Sequence, residues 1–304
     1  MTRIRTLGYR ILGSKLDYLL HLRPAEWPIV SVHFLTGSAL AGGLGDLLSW
    51  PPRGGVVLGL LLWVIALNGG TLALNSAFDR DTGDIAYLRS PPPPPPGLAA
   101  FGLALMLAGA AVAATLSLPY ALAFWICVGL SILYSAPPLR LKGVAGADWL
   151  VNMAGFGFLT AFAGYVSTGT MPGRTGWLLL AGFALLFGAL YPMTQLYQLD
   201  EDARRGDRTL AVALGPERSL GLAGLALLGA FALFAAATVA WWSAADRALR
   251  GAGLALAFGA WIAVILPWRA ALSTQSPADH RRRMHRALAV WALTDAAVLH
   301  AWGR

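Results

Sequence analysis

The sequence predicts an all-α integral membrane protein of about nine transmembrane helices, and three observations carry that expectation. The 304 residues are 57% hydrophobic and 12% charged, with mean hydropathy +0.60, whereas soluble domains are about 45–50% apolar and about 25% charged. The apolar residues fall into nine runs, most of them of the roughly 17–25 residues that cross a hydrocarbon core. The basic residues gather in alternate connecting loops.

Taken in order, spans are expected near 28–44, 56–78, 97–117, 119–135, 149–168, 176–199, 219–243, 250–268 and 287–302. Ahead of the first there is no long apolar core followed by a small-residue cleavage site, so residues 1–27 are expected to remain as a cytoplasmic N-terminal segment. Within it, Tyr9 to Leu22 sets Ile11, Leu12, Leu16, Leu19 and Leu20 among Lys15, Asp17 and His21. That spacing suits an amphipathic helix on the membrane surface or a juxtamembrane linker. After the second span, Pro91 to Pro96 cannot be helical and should form a stiff polyproline II spacer. Pro119 separates the third span from the fourth, and Pro137–Pro138 ends the fourth early. No soluble domain interrupts the spans, so residues 1–304 read as one membrane domain with the bundle over 28–302.

With the N-terminus inside, the cytoplasmic segments hold 18 of the 23 Lys and Arg residues. The positive-inside rule then gives an N-terminus in the cytoplasm, in the cell's inner or cytoplasmic membrane. The net charge of +8 is accounted for without any nucleic acid. The single cysteine, Cys127, excludes an intramolecular disulfide and a cysteine metal cage.

Two acidic clusters carry the chemistry. In LALNSAFDRDTGD, Asn75 and Asp79 are four apart and share one helix face; Asp81 lies about 200° around from Asp79, and Asp84 joins the face only if the helix unwinds at Gly83. In YPMTQLYQLDEDARRGDRTL, Gln195, Gln198 and Asp202 line up within about 60° on a continuous helix, with Asp200 and Glu201 pointing elsewhere. Carboxylates and amides at span ends are costly and tend to face a polar cavity. Oxygen-rich sets of this kind suit Mg²⁺ shared with phosphate oxygens, and solvated helix ends are the plainer alternative. The two clusters, Asn75 to Asp84 and Gln198 to Asp207, are offset by roughly 120 residues, the pattern of an internal repeat.

These motifs resemble the UbiA superfamily of intramembrane prenyltransferases. Asn75 and Asp79 match its first motif, NDxxDxxxD. Asp202, Gly206, Thr209, Leu210 and Gly215 match the second, and Tyr134, Ser135, Pro137, Pro138, Arg140, Leu141 and Lys142 match a YS.PP.RLK loop between them. Ser76, Gly83 and Gln198 stand where the family often has Asp, and Arg89-Ser90 replaces its Arg-Pro. The resemblance implies a UbiA-like bundle with a lipid-open central cavity. It also implies Mg²⁺ held by Asn75, Asp79, Asp84, Gln198 and Asp202, with Asp79, Asp202 and Asn75 as the catalytic set. The diphosphate of an isoprenyl substrate would meet Arg140, Lys142 and Tyr134; Asp81, Asp200, Gln195 and Asn152 are second-rank candidates.

The expected reaction is transfer of the isoprenyl group to a lipophilic acceptor: an aromatic compound, quinone, pigment or lipid. A membrane terpene cyclase and a non-catalytic lipid carrier are the alternatives. Elsewhere, Asp148 reads as a helix N-cap, Asp295 and His300 as interhelical or interfacial groups, and His280 to Arg286 as a headgroup anchor.

Overall fold

The computed structural model describes residues 3–42, 54–79, 88, 90–239 and 244–303. Among them there is no named strand, only the isolated bridge between Val144 and Arg208. The N-terminal segment is two helices, α1 (Arg3–Leu12) and α2 (Lys15–His21). The segment Tyr9–Leu22, read as a surface helix or a juxtamembrane linker, is helical but broken at Gly13, whose φ of 57° is open to glycine at little cost. Leu7, Ile11, Leu12 and Leu19 stay exposed.

Among the described residues nine long helices follow, one for each predicted span: α3 (Trp27–Gly42), α4 (Gly54–Asp79), α5 (Leu98–Ala113), α6 (Leu118–Ser135), α7 (Ala147–Val166), α8 (Arg174–Gln195), then, after the short α9 (Leu199–Arg205), α10 (Leu210–Val239), α11 (Ala244–Ala270) and α12 (Pro277–Trp302). Helices α4, α6, α7, α8, α10 and α11 contain stretches long and apolar enough to cross a membrane. Helix α5 is apolar but has 16 residues, and α12 opens on the basic run His280 to Arg286. Leu118, Leu225 and Leu256 are each more than two-thirds exposed, as suits side chains facing lipid rather than water.

The helix ends follow local chemistry. Ser117 caps α6 by accepting from the Tyr120 amide at 3.3 Å, with Pro119 in the first turn. Helix α12 begins with a reciprocal capping box between Ser276 and Asp279. Gly215, at φ 74°, breaks α10 ahead of Pro216. The proline run has no amide hydrogens, so its carbonyls can only accept, and the N-terminal helices supply the donors. Arg5 donates to the Ser90 carbonyl at 2.9 Å, His21 to Pro92 at 3.1 Å and Tyr18 to Pro96 at 2.6 Å.

Lipid gives no hydrophobic force between helices, so close backbone packing at small residues has to hold the bundle. Helix α3 crosses α7 where a Cβ on Gly37 would lie 1.9 Å from the Ala161 carbonyl oxygen, and one on Gly164 1.8 Å from that of Phe34. Ser38 adds a hydrogen bond to the Gly164 carbonyl at 2.8 Å. Both α4 and α7 contain a π-helical stretch, Leu62–Gly69 and Met153–Leu159, a distortion common at functional sites. Trp63 in the first donates to Thr160 at 3.2 Å, just after the second. These two stretches face a central cavity of about 360 Å³.

Candidate active site

The cavity is polar at one end and apolar at the other. Asn75 and Asp79 reach it from the last two turns of α4, Tyr134 from the end of α6, and Asn152 from α7. Lys142 comes from the loop after α6, Gln195 from the end of α8, Gln198 from the turn after it, and Asp202 and Arg205 from α9. Deeper, Leu67, Phe156, Phe187 and Trp291 form an apolar wall. Phe156 stacks on Phe187 with centroids 4.5 Å apart, and Trp291 meets Phe187 edge-on at 5.6 Å.

The two acidic motifs are joined by an alternating chain of six charges. Lys142 and Arg140 both hold Asp79, the latter at 2.9 Å. Arg140 also holds Asp207, which lies 3.4 Å from Arg205, and Arg205 in turn binds Asp202 at 2.6 Å. The three carboxylate side chains keep 1%, 3% and 7% of their surface. Every one of the three cations meets at least one of these carboxylates, and Glu201 adds a fourth 3.8 Å from Arg205; such pairing is the condition for burying so many charges. Burial pushes the Asp202 carboxyl above the usual carboxylate range, against the pull of Arg205 and Lys142. Burial also works against the charge on Arg140, but Asp207 and Asp79 outweigh it and hold the guanidinium above its ordinary value.

The loops that carry this chain are stitched together. The Arg208 amide donates to the Gly143 carbonyl at 3.1 Å. Arg140 sits in the left-handed region at φ 37°, and a Cβ at Gly143 would come within 2.9 Å of an Asp207 oxygen. A side chain at position 143 would therefore press on the Asp207 carboxylate where the loop passes it.

Several expected residues have other placements. Gln195, Gln198 and Asp202 all line the cavity, but not on one helix: α8 ends at Gln195, and Gln198 leaves helical geometry at φ −113°, ψ 7°. Gln195 is tied down, donating to Asp148 at 2.7 Å and accepting from the Ala211 amide at 3.0 Å. Asp148 is no N-cap of α7; that place is held by Gly146. Its carboxylate accepts from Gly146 and Leu210 amides at 2.9 and 2.8 Å besides Gln195, fastening the start of α10 to α7 and α8. Asp200 is exposed in α9 and does not line the cavity. Asp81 and Asp84 lie outside the described residues.

Tyr134 shares a hydrogen bond of 2.9 Å with Tyr191, and Asn152 donates to the Asp148 carbonyl at 2.9 Å. Asp207, Arg205 and Tyr191 were not in the expected site. Asp207 had a signal, since it follows the Gly206 of the second motif by one residue.

Asn75, Asp79, Gln198 and Asp202 offer only oxygen, apart from the amide nitrogens, and so suit a hard divalent ion. Among the described residues no three acidic, histidine or cysteine side chains form a metal cluster, because lysine and arginine stand between the acids. The donor chemistry fits such an ion where those basic partners turn away.

The profile of the UbiA prenyltransferase family matches residues 32–292. A lycopene elongase/hydratase of Haloferax volcanii is 29% identical over 219 residues, covering 68% of each chain. A UbiA homolog from Archaeoglobus fulgidus bound to DMAPP and Mg²⁺ superposes with a TM-score of 0.65 at 19% identity, covering 93% of this chain and 99% of that one. The apo UbiA homolog from Aeropyrum pernix K1 gives 0.60 at 20% identity, over 89% and 96%. The chain belongs to the UbiA prenyltransferase family.

Proposed function

We propose that this membrane prenyltransferase moves an isoprenyl group from a prenyl diphosphate to a lipophilic acceptor at the cavity described above. The observation that carries the reading is the run of charges from Lys142 to Asp202 at the mouth of a cavity walled below by Phe156, Phe187 and Trp291. A diphosphate fits the charged end, and a hydrocarbon tail fits the apolar end. The names of the Archaeoglobus structures, with DMAPP or GPP and Mg²⁺, support the donor class. The name of the Haloferax relative supports an apolar isoprenoid or pigment as acceptor.

In this mechanism Asp79 and Asp202, helped by Asn75 and Gln198, would hold Mg²⁺. Bound there, the ion supplies Lewis-acid stabilisation of the departing diphosphate. Lys142, in the cavity wall, carries positive charge to the phosphate oxygens, and Arg140, outside that wall, holds Asp79 beside it. Tyr134 and Tyr191 lie where the charged end gives way to the apolar wall. That wall keeps water from the allylic cation left when the bond to diphosphate breaks, so the acceptor forms the new bond to the isoprenyl carbon and then loses a proton. The charge distribution supports an active site near the cytoplasmic face.

Purified full-length protein with Mg²⁺ and geranyl diphosphate should release diphosphate. Asp79→Ala and Asp202→Ala should each slow release about a hundredfold or more, the scale of losing one transition-state contact. No release from any of several prenyl diphosphates, or an unchanged rate in Asp79→Ala, would overturn the proposal. Product mass tells transfer from cyclisation, which releases diphosphate without adding an acceptor.

A further inference from the structure

We propose that Arg23, between α2 and α3, is a further binding residue for the diphosphate group, reaching the charged end of the cavity beside Ser76. The inference rests on the prenyl diphosphate reading above and extends it to a residue outside both acidic motifs and the basic loop.

Arg23 is 8% exposed and lines the cavity. Its Nη2 donates to the Ser76 hydroxyl at 3.3 Å. Ser76 lies three residues before Asp79 on α4, so the two are neighbours on one face of that helix. The guanidinium is thereby set beside the residue at which the charge chain begins. Its Nε is buried without a hydrogen-bond partner. No carboxylate among the described residues lies within ion-pair distance of Arg23. Glu26 also lines the cavity and has an unpartnered buried oxygen, yet the two form no ion pair.

Lys142, Arg140 and Arg205 are each paired with carboxylates, whereas Arg23 makes no ion pair among the described residues: its acidic neighbour in the cavity wall, Glu26, acts on it through charge but not within ion-pair distance. Burying an unpaired charge is costly, and the cost is offset only when an anion arrives. The backbone adds a second cost. Arg23 holds φ 48°, ψ 62°, a left-handed conformation disfavoured for residues with a Cβ and again for a residue preceding proline. The turn places a planar fork of N–H donors in the cavity wall, and phosphate oxygens match that fork in geometry and charge.

The test uses full-length protein in nanodiscs, with inorganic diphosphate, geranyl diphosphate and geraniol as probes. Arg23→Asn keeps the turn, because asparagine tolerates the left-handed region. Arg23→Lys keeps the charge without the fork. Arg23→Asn is expected to weaken binding of both diphosphates about tenfold or more, the size of a charge-assisted hydrogen bond, while geraniol binding and the melting temperature stay near wild type. Arg23→Lys should recover part of the affinity. Wild-type diphosphate affinity in Arg23→Asn overturns the inference while leaving the transferase reading intact. Equal loss of geraniol and diphosphate binding also overturns it, by assigning Arg23 a structural role. If the wild-type protein binds neither diphosphate, the inference and the transferase reading fail together.

Discussion

Asp200 and Asp207 belong to the same short segment, yet the first is exposed and the second keeps 4% of its surface between two arginines. Asp207 never touches the cavity wall; it acts by holding Arg140 and Arg205 in place for Asp79 and Asp202. Removing one partner of a buried ion pair costs about 3–5 kcal/mol. Asp207→Ala should fall at the low end of that range, because Arg140 and Arg205 keep 27% and 22% of their side-chain surface. Asp200→Ala should change stability by no more than about 0.5 kcal/mol. Thermal unfolding of the purified variants, read beside diphosphate release, checks both. Equal effects of the two substitutions would remove Asp207 from the site. Helical spacing misses this residue because its role depends on two loops meeting, and nothing in the local sequence states which arginines will face it.

At the level of elements, α3 and α7 are held by contact of backbones rather than by side-chain volume. Gly164→Ala would put a methyl group onto the Phe34 carbonyl, and overpacking of this kind costs about 1–3 kcal/mol. Gly129 on α6 has nothing within 4 Å of its missing Cβ, so Gly129→Ala should be neutral or stabilising through helix propensity. The melting temperature should fall for Gly164→Ala and hold or rise for Gly129→Ala, and a Gly164→Ala protein as stable as wild type would refute the contact. The nine helices themselves were legible, since an apolar run of sufficient length has no alternative to helix in lipid. Their interruptions were less so. The break at Gln198 separates residues that ideal periodicity places on one face, and it follows from the fastening of Gln195 to Asp148 and Ala211, contacts between segments remote in sequence. The π-helical stretches leave no signal in hydropathy.

Across the whole molecule, the polar end of the cavity and most of the basic side chains lie at the same ends of the helices. Lys142, Arg140 and Arg205 join Asp79, Asp207 and Asp202 there. The loops that carry these residues are among those that charge counting assigns to the cytoplasm, an assignment made from composition rather than from contacts. Exposed Arg204 lies on the site side, next to the buried chain, and exposed Thr170 lies in the turn between α7 and α8 at the opposite end. In a Cys127→Ala background, which removes the one native thiol, Arg204→Cys should react with a membrane-impermeant thiol reagent from the cytoplasmic side. Thr170→Cys should react only from the other. Labelling of Thr170→Cys in inside-out vesicles, with Arg204→Cys protected, would invert the orientation. It would also place the charged end of the cavity on the other face, and the positive-inside count of 18 in 23 would then need another cause.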